Sequence, residues 1–505
     1  MKMKIHNLKP PVAAMKYFFK SCMVLFLICA LIFPKKAFSQ SEAPNIIYIL
    51  ADDLGYRELG SYGQQKIKTP HLDQLASEGM RFTQHYAGSA VCAPSRCTLL
   101  TGQHTGHAYV RNNYELGGFL DSEERGQMPL PKDAFTIGHM LQQKGYITGA
   151  IGKWGLGGPG SSGIPNKQGF DFFYGYLDQK QAHNYYPTHL WRNETWDTLN
   201  NDYFSPHQRL EEAPENTSAY DPYKGNEYAQ DKMAAEALRF IREHQSQKFF
   251  LYLPFPVPHL ALQVPDEALT AYHGAFPETP YLGNDGYLPH PTPKAAYAAM
   301  ISRMDQQIGT IMALLKELKL DDNTLVIFSS DNGATFKKGP DTKYFESVGE
   351  LRGLKGDLYE GGIRVPMIAR WPGKIKAGTV SDHVSAFWDV MPTLAELTEA
   401  NTPHDRDGVS FLPTLLGEPA QQSAHAYLYW EYHGRGGSQA VRMGNWKGIR
   451  TEVQRNPEAE IQLYNLSSDI GEQSDVAGGH PEIVEEIRRL MHSRTPSHIE
   501  KWNFE

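Results

Sequence analysis

The order of apolar segments predicts an α/β protein. It is a large, mostly parallel (mixed) sheet sandwiched by helices, followed by a small C-terminal antiparallel sheet with one helix. Three observations predict it. Short, continuous apolar runs at 45–50, 249–253 and 324–328 have the character of parallel strands buried on both faces. Segments with apolar residues at spacings of three and four lie between them, as the helices that cover such a sheet require. Past residue 424 the spacing tightens into consecutive short strands.

Taken in order, the first strand is 45–50, Asn-Ile-Ile-Tyr-Ile-Leu. Thr69-Pro70 opens a helix with Leu72, Leu75 and Ala76 on one face, and Gly79 stops it. A short helix at 137–144 ends at Gly145, and a strand follows at 146–151. The next strand is 249–253. The longest helix covers 294–318, where Tyr297, Met300, Ile301, Met304, Ile308, Ile311, Met312, Leu315 and Leu318 recur at three and four. A strand at 324–328 follows. Segments 427–432, 440–443, 446–450 and 461–465 read as short strands, and 481–491 as a helix. The expected division is a signal peptide over 1–39, a catalytic domain over 44–420 and a small α+β subdomain over 424–505.

Residues 1–39 carry seven lysines and no acid, then an apolar run from Cys22 to Phe33 and the small-residue site Ala37-Phe38-Ser39. The run is too short to span a bilayer comfortably, so it predicts cleavage and export without stable membrane insertion, to the periplasm or the exterior. With 49 basic against 57 acidic residues, a net charge of −8 and no basic cluster, the chain is not a nucleic-acid binder. Beyond the leader only Cys92 and Cys97 remain, which is no disulfide framework.

Ligands in open α/β sheets bind beyond the carboxyl ends of the strands. Asp52-Asp53 follows the first strand, Gly152-Lys153-Trp154 follows 146–151, Pro258-His259 follows 249–253, and Asp331-Asn332 follows 324–328. A single Asp pair there is more often a cap than a ligand, but capping does not account for all four. If the strands are neighbours, Asp52, Asp53, Asp331 and Asn332 make an all-oxygen site suited to Ca²⁺ or Mg²⁺. The metal then neutralises the carboxylates, leaving Lys153 and His259 to face an anionic substrate.

Val91-Cys92-Ala93-Pro94-Ser95-Arg96 is the second carrier of chemistry. Pro94 suits the first turn of a helix, whose free N–H groups and dipole favour an anion. Cys92 there reads as a buried structural cysteine or as a thiolate nucleophile. Neither reading explains Pro, Ser and Arg at these spacings.

Cys92-Ala93-Pro94-Ser95-Arg96 with Thr101-Gly102 resembles the signature of the formylglycine-dependent sulfatases of the alkaline phosphatase superfamily. Asp52-Asp53, Gly152-Lys153-Trp154, Pro258-His259, Ser330-Asp331-Asn332-Gly333, Leu354-Lys355-Gly356 and Glu360-Gly361-Gly362-Ile363-Arg364-Val365-Pro366 are similar to that family's other blocks, in its order. The resemblance covers about residues 44 to 500. It implies that a formylglycine-generating, sulfatase-maturating enzyme oxidises Cys92 to formylglycine (3-oxoalanine), and that Asp52, Asp53, residue 92, Asp331 and Asn332 hold one Ca²⁺. The hydrated aldehyde has two hydroxyls: one attacks sulfur and the other lets sulfate be expelled. Arg96 is implied to orient it, Lys153 and Lys355 to hold sulfate oxygens, and His259 to protonate the leaving sugar oxygen.

One position departs from the pattern. Many relatives read Gly-Lys-Trp-His, where this chain has Gly155. His183, in Ala182-His183-Asn184-Tyr185-Tyr186-Pro187, is the candidate to take the proton that the missing imidazole would take. That arrangement resembles a subgroup of bacterial polysaccharide sulfatases. His104 and Arg111 are the expected substrate contacts on the pocket rim, with 191–193 and 431–435 as further rim segments. The implied substrate is a sulfated glycan, with 4-O-sulfated galactose or N-acetylgalactosamine as the sugar unit. Two alternatives stand beside it. One is a phosphate mono- or diesterase of the superfamily, which commonly has Asp-His where this chain has Asp331-Asn332. The other is a non-catalytic glycan-binding relative, which intact Cys92 and Arg96 oppose.

Overall fold

The structure, a computed structural model, describes residues 43–504, so the expected leader over 1–39 lies outside the described residues. In chain order the strands are β1 (Asn45–Ala51), β2 (Met80–Tyr86), β3 (Ile147–Lys153), β4 (Phe172–Tyr176), β5 (His189–Arg192), β6 (Thr195–Thr198), β7 (Phe249–Pro254), β8 (Thr324–Ser330), β9 (Arg364–Arg370), β10 (Thr379–Ser381), β11 (Ser385–Ala386), β12 (Leu428–Tyr432), β13 (Ser438–Met443), β14 (Trp446–Thr451) and β15 (Gln462–Asn465). The α-helices of seven or more residues among the described residues are α1 (Pro70–Glu78), α2 (Cys92–Thr101), α3 (Ile137–Gln143), α4 (Ala229–Glu243), α5 (Pro293–Glu317), α6 (Val390–Thr398) and α7 (Pro481–Met491).

The first eleven strands form one mixed sheet in the order β10-β2-β9-β8-β1-β7-β3-β4-β5-β6, with β11 beside β2. The centre, β8-β1-β7-β3-β4, is parallel. β9 runs antiparallel between β8 and β2, and β5 and β6 add an antiparallel edge. Every residue of β1, β7 and β8 is buried, which is why these three are continuous apolar runs. The sequence did not reveal β2 or β9. β9 is flanked by Arg364 and Arg370, which look like surface residues but are buried and paired, Arg364 with Glu360 and Arg370 with Glu78 and Asp321.

Register places the site. Ala51 of β1 pairs with Ser330 of β8, and Leu50 with Pro254 of β7. The residues leaving β8, β1 and β7, together with Lys153 at the end of β3, therefore emerge side by side.

β12 to β15 form a separate antiparallel sheet in sequence order. One face packs Tyr429, Val441, Ile461 and Leu463 on Ile487, Leu490 and Met491 of α7. The other packs Leu428, Trp430, Ala440 and Ile449 on Tyr86, Ile363 and Trp388 of the large body. Residues 44–504 accordingly form one compact unit. No helix among the described residues is long and apolar enough to cross a membrane.

Candidate active site

Cys92 is the first residue of α2, with Val91 as its N-cap. All ten residues of α2 are buried, and Gly102, at φ 71°, closes it by donating its N–H to the Thr98 carbonyl. Pro94 costs no hydrogen bond because first-turn N–H groups have no partner inside the helix. Arg96, one turn on, reaches back into the strand-end cluster. Its Nε and Nη2 donate to Asp331 Oδ2 at 3.0 and 2.8 Å, and Nη2 also reaches Asp52 Oδ2 at 3.2 Å. Its Nη1 donates to the Lys153 carbonyl.

Three groups converge on the Cys92 sulfur: Lys355 Nζ at 3.5 Å, Lys153 Nζ at 3.8 Å and Asp52 Oδ1 at 3.5 Å. The sequence reading left Lys153 free for substrate. In the structure it pairs with Asp52 Oδ2 at 2.6 Å, and Lys355 pairs with Asp53 Oδ1 at 2.7 Å. Buried carboxylates this close need counter-charge, and the lysines supply it. Burial alone would lower both lysines, but Asp52 for Lys153 and Asp53 for Lys355 outweigh it and keep both charged.

Asp52 and Asp331 are pulled in opposite directions. Burial and the neighbouring Asp52 charge push Asp331 up; burial also opposes ionisation of Asp52, but Lys153, His259, Arg96 and Lys355 hold it well down. Asn332 Nδ2 donates to Asp53 Oδ1 at 2.7 Å, while its Oδ1 is buried with no hydrogen-bond partner. Three carboxylates and an orphaned amide oxygen fit a hard divalent cation, which would relieve the Asp52–Asp331 repulsion. Ligand atoms of Asp52, Asp53, Cys92 and His259 lie within 4.8 Å of one another.

Burial and the Asp52 charge push the Cys92 thiol up, which counts against a thiolate on an unmodified cysteine. His259 Nδ1 lies 2.6 Å from the Leu260 carbonyl, and its Nε2 lies 3.7 Å from Asp53 Oδ2. Burial, Lys355 and Lys153 lower His259 to about 4. His183 lies against it, ring centroids 5.2 Å apart and 11° from parallel. At Gly155, φ is 78°, and an added Cβ would sit 2.2 Å from Gln179 Nε2. The Gln179 amide therefore fills the space that a side chain at 155 would need.

His104 and Arg111 make no hydrogen bond to this group and are held by partners elsewhere. Arg111 is buried and donates to Glu431 Oε1 at 3.0 Å and to the Thr495 carbonyl at 2.9 Å. His104 is buried in a stack with His107, against Trp388 and Tyr429. Both residues tie α2's far end to the small sheet. Arg192 is likewise committed, to Glu236. Of the rim candidates Arg435 stands beside the site, donating to the Lys355 carbonyl at 3.1 Å. Sequence reasoning missed Tyr287 and His207, whose rings pack against His183. They come from loops of unremarkable composition.

Cations around a sulfur, beside buried carboxylates at the strand ends, suit an enzyme whose substrate is an anion. The relatives narrow this to one family. The pattern described as Sulfatase matches residues 44–400, and that described as N-sulphoglucosamine sulphohydrolase, C-terminal, matches 354–500. The chain belongs to the sulfatase family and is a sulfuric ester hydrolase. It is 31% identical to the N-acetylgalactosamine-6-O-sulfatase of Bacteroides thetaiotaomicron, over 90% of this chain and 93% of that one. It is 31% identical to arylsulfatase A of Homo sapiens, over 89% and 87%. Among solved structures, Ps i-CgsB in complex with k-i-k-neocarrahexaose superposes with a TM-score of 0.73 at 27% identity, over 91% and 94%. The phosphonate monoester hydrolase of Agrobacterium radiobacter shares the fold, with a TM-score of 0.58 at 20% identity, over 89% and 96%.

Proposed function

We propose that this sulfatase removes sulfate esters from glycans, with residue 92 converted to formylglycine by a maturating enzyme and one Ca²⁺ held by Asp52, Asp53, residue 92, Asp331 and Asn332. The observation that carries the reading is the convergence of Lys153, Lys355 and Asp52 on the Cys92 sulfur. A thiol kept protonated is a poor nucleophile, whereas a hydrated aldehyde there would supply one hydroxyl to attack sulfur and a second to expel sulfate. Ca²⁺ supplies polarisation of the attacking oxygen and neutralises charge.

This chain's own residues do the rest. Lys153 and Lys355 meet the sulfate oxygens with fixed positive charge. Arg96 locks Asp52 and Asp331 and keeps the first turn of α2 against them. His259 Nε2 is the proton donor to the leaving oxygen. Burial and the two lysines hold it neutral in the free site, and the negative charge of bound sulfate opposes the lysines and raises it.

The sugar is proposed as galactose or N-acetylgalactosamine sulfated at position 4. The relative named N-acetylgalactosamine-6-O-sulfatase supports the sugar and sets position 6 against position 4. Export to the periplasm or exterior, through the leader at 1–39, suits a polymeric glycan that cannot enter the cell. The test combines the mass of the peptide bearing residue 92 with sulfate release from 4- and 6-sulfated oligosaccharides in Ca²⁺. Phosphate-ester turnover with Zn²⁺ or Mn²⁺, and none of sulfate esters, would instead establish the phosphoesterase.

A further inference from the structure

Two backbone groups fix the tautomers of the active-site histidines, and they fix them in opposite senses. The Leu260 carbonyl, 2.6 Å from His259 Nδ1, can only accept. His259 therefore carries its proton on Nδ1, and its Nε2 is bare toward Asp53. On the other side, the backbone N–H of Tyr287 can only donate, and it donates to His207 Nδ1 at 3.2 Å. Neutral His207 must then carry its proton on Nε2. That nitrogen is 3.0 Å from His183 Nδ1, so His183 Nδ1 is the acceptor and the His183 proton sits on Nε2.

We propose that His207 is a positioning residue that fixes His183 as a neutral imidazole protonated on Nε2, so that His183 enters the reaction as a hydrogen-bond donor and not as a proton acceptor. For His183 Nε2 to accept a proton, Nδ1 would have to keep one and aim it at His207 Nε2. That nitrogen would then need a lone pair while Nδ1 of the same ring still accepts from Tyr287. An imidazole with two bare nitrogens is an imidazolate, which a buried site beside Asp53 does not stabilise. The rings are held in this order by packing. Phe119 lies 4.6 Å from His207 and 5.9 Å from His183, and Tyr287 lies 4.8 and 4.9 Å from the same two. Burial, with the charges of His259 and Lys153 near it, also disfavours a charged His183.

The consequence revises the role that the sequence reading gave His183. Its Nε2–H makes no hydrogen bond to a described residue, so it is available to a sulfate oxygen or a sugar hydroxyl. His259 Nε2 is bare in the free site, so to serve as the proposed donor it must first take a proton from solvent as the anionic substrate binds.

The functional half rests on the sulfatase reading, and the tautomer half does not. ¹⁵N-histidine spectra of the whole protein in Ca²⁺, without substrate, read the tautomers directly. The expected pattern is a protonated Nε2 on His183 and on His207, and a protonated Nδ1 on His259. In His207→Phe, which keeps the ring contacts with Phe119 and Tyr287, the His183 signals should move toward the exchange average of the two tautomers. A protonated Nδ1 on His183 in the native protein, or an unchanged His183 pattern in His207→Phe, overturns the proposal. Kinetics test the donor role. His183→Ala should lose about 10²–10³ in kcat, the cost of one preorganised donor. His183→Gln, whose amide donates but takes up no proton, should be at least about ten-fold faster than His183→Ala. Equal loss in both variants returns His183 to proton transfer. A chain that releases no sulfate at all, with the tautomers as stated, would overturn the functional reading alone.

Discussion

Lys355 Nζ lies 3.5 Å from the Cys92 sulfur while forming a 2.7 Å ion pair with Asp53 Oδ1. The same ammonium thus faces both the reacting position and the carboxylate group, and its loss should be felt in both. Lys355→Met is expected to lower kcat by about 10²–10³, as for removal of one preorganised charge-stabilising donor. Sulfate release under saturating substrate checks it. A change confined to KM would mean that Lys355 serves ground-state binding only.

The orphaned Asn332 Oδ1 and the opposed shifts of Asp52 and Asp331 lead to a second prediction. Adding Ca²⁺ at about 100 times its Kd should stabilise the protein by about 2.7 kcal/mol. Asp331→Ala should abolish both that shift and the bound metal. Thermal melts with and without chelator, with elemental analysis of the dialysed protein, decide it. Stoichiometric Ca²⁺ retained by Asp331→Ala would remove the cluster from consideration.

Cys92→Ser keeps a buried hydroxyl in place but cannot become formylglycine in a host whose maturase acts on cysteine. Its activity should fall to background while the fold persists. The peptide bearing residue 92 should show the aldehyde mass in the native protein and an unmodified serine in the variant. Full activity of Cys92→Ser in such a host would end the formylglycine mechanism.

What the sequence disclosed follows from where the chemistry sits. β1, β7 and β8 are buried throughout and apolar along their middles, so Asp52, His259 and Asp331 could be placed beyond strand ends without coordinates. Neighbourhood was the missing fact, and register supplies it by pairing Ala51 with Ser330. Burial was harder to read: Arg111 and His104 are covered through Glu431 and Asp407, partners far off in sequence, so polarity alone made them look accessible. His207 was illegible because its meaning comes from the Tyr287 N–H, eighty positions away.

The buried pair of Arg111 and Glu431 gives a prediction opposite to the rim reading. Glu431 also accepts from Arg494 at 2.6 Å and from the Tyr429 hydroxyl at 2.7 Å. Glu431 keeps Arg494 as counter-charge, so Arg111→Ala removes one buried charge-assisted hydrogen bond and should cost about 1.5–3 kcal/mol. KM for a sulfated oligosaccharide should be unchanged at temperatures where the variant is folded. Urea unfolding and initial rates separate the two effects. A raised KM with unaltered stability would restore Arg111 to the substrate.

Glu58 supports the loop that carries Asp52 and Asp53, and it sets a pH dependence that can be isolated. Its carboxyl is fully buried. Oε2 accepts from the Gly55 N–H at 2.7 Å, and both oxygens lie within 2.9 Å of the Tyr297 hydroxyl. Burial outweighs these hydrogen bonds and raises the group from 4.5 to about 7. The folded state therefore prefers the protonated acid more than the unfolded chain does. The resulting stability is fully present below about pH 4.5, declines as pH rises through the interval to about 7, and is gone above it. The span corresponds to about 3 kcal/mol. Glu58→Gln keeps an acceptor for Gly55 and a neutral amide beside Tyr297, but it cannot ionise. Other groups titrate alike in both proteins, so the difference between them isolates Glu58. Measured by urea unfolding in saturating Ca²⁺, the variant should gain on the native protein by about 2.5 kcal/mol between pH 5 and pH 8. Parallel stability curves over that range would show that Glu58 is ionised in the fold at all of these pH values, held so by Gly55, Tyr297 and a counter-charge not yet identified.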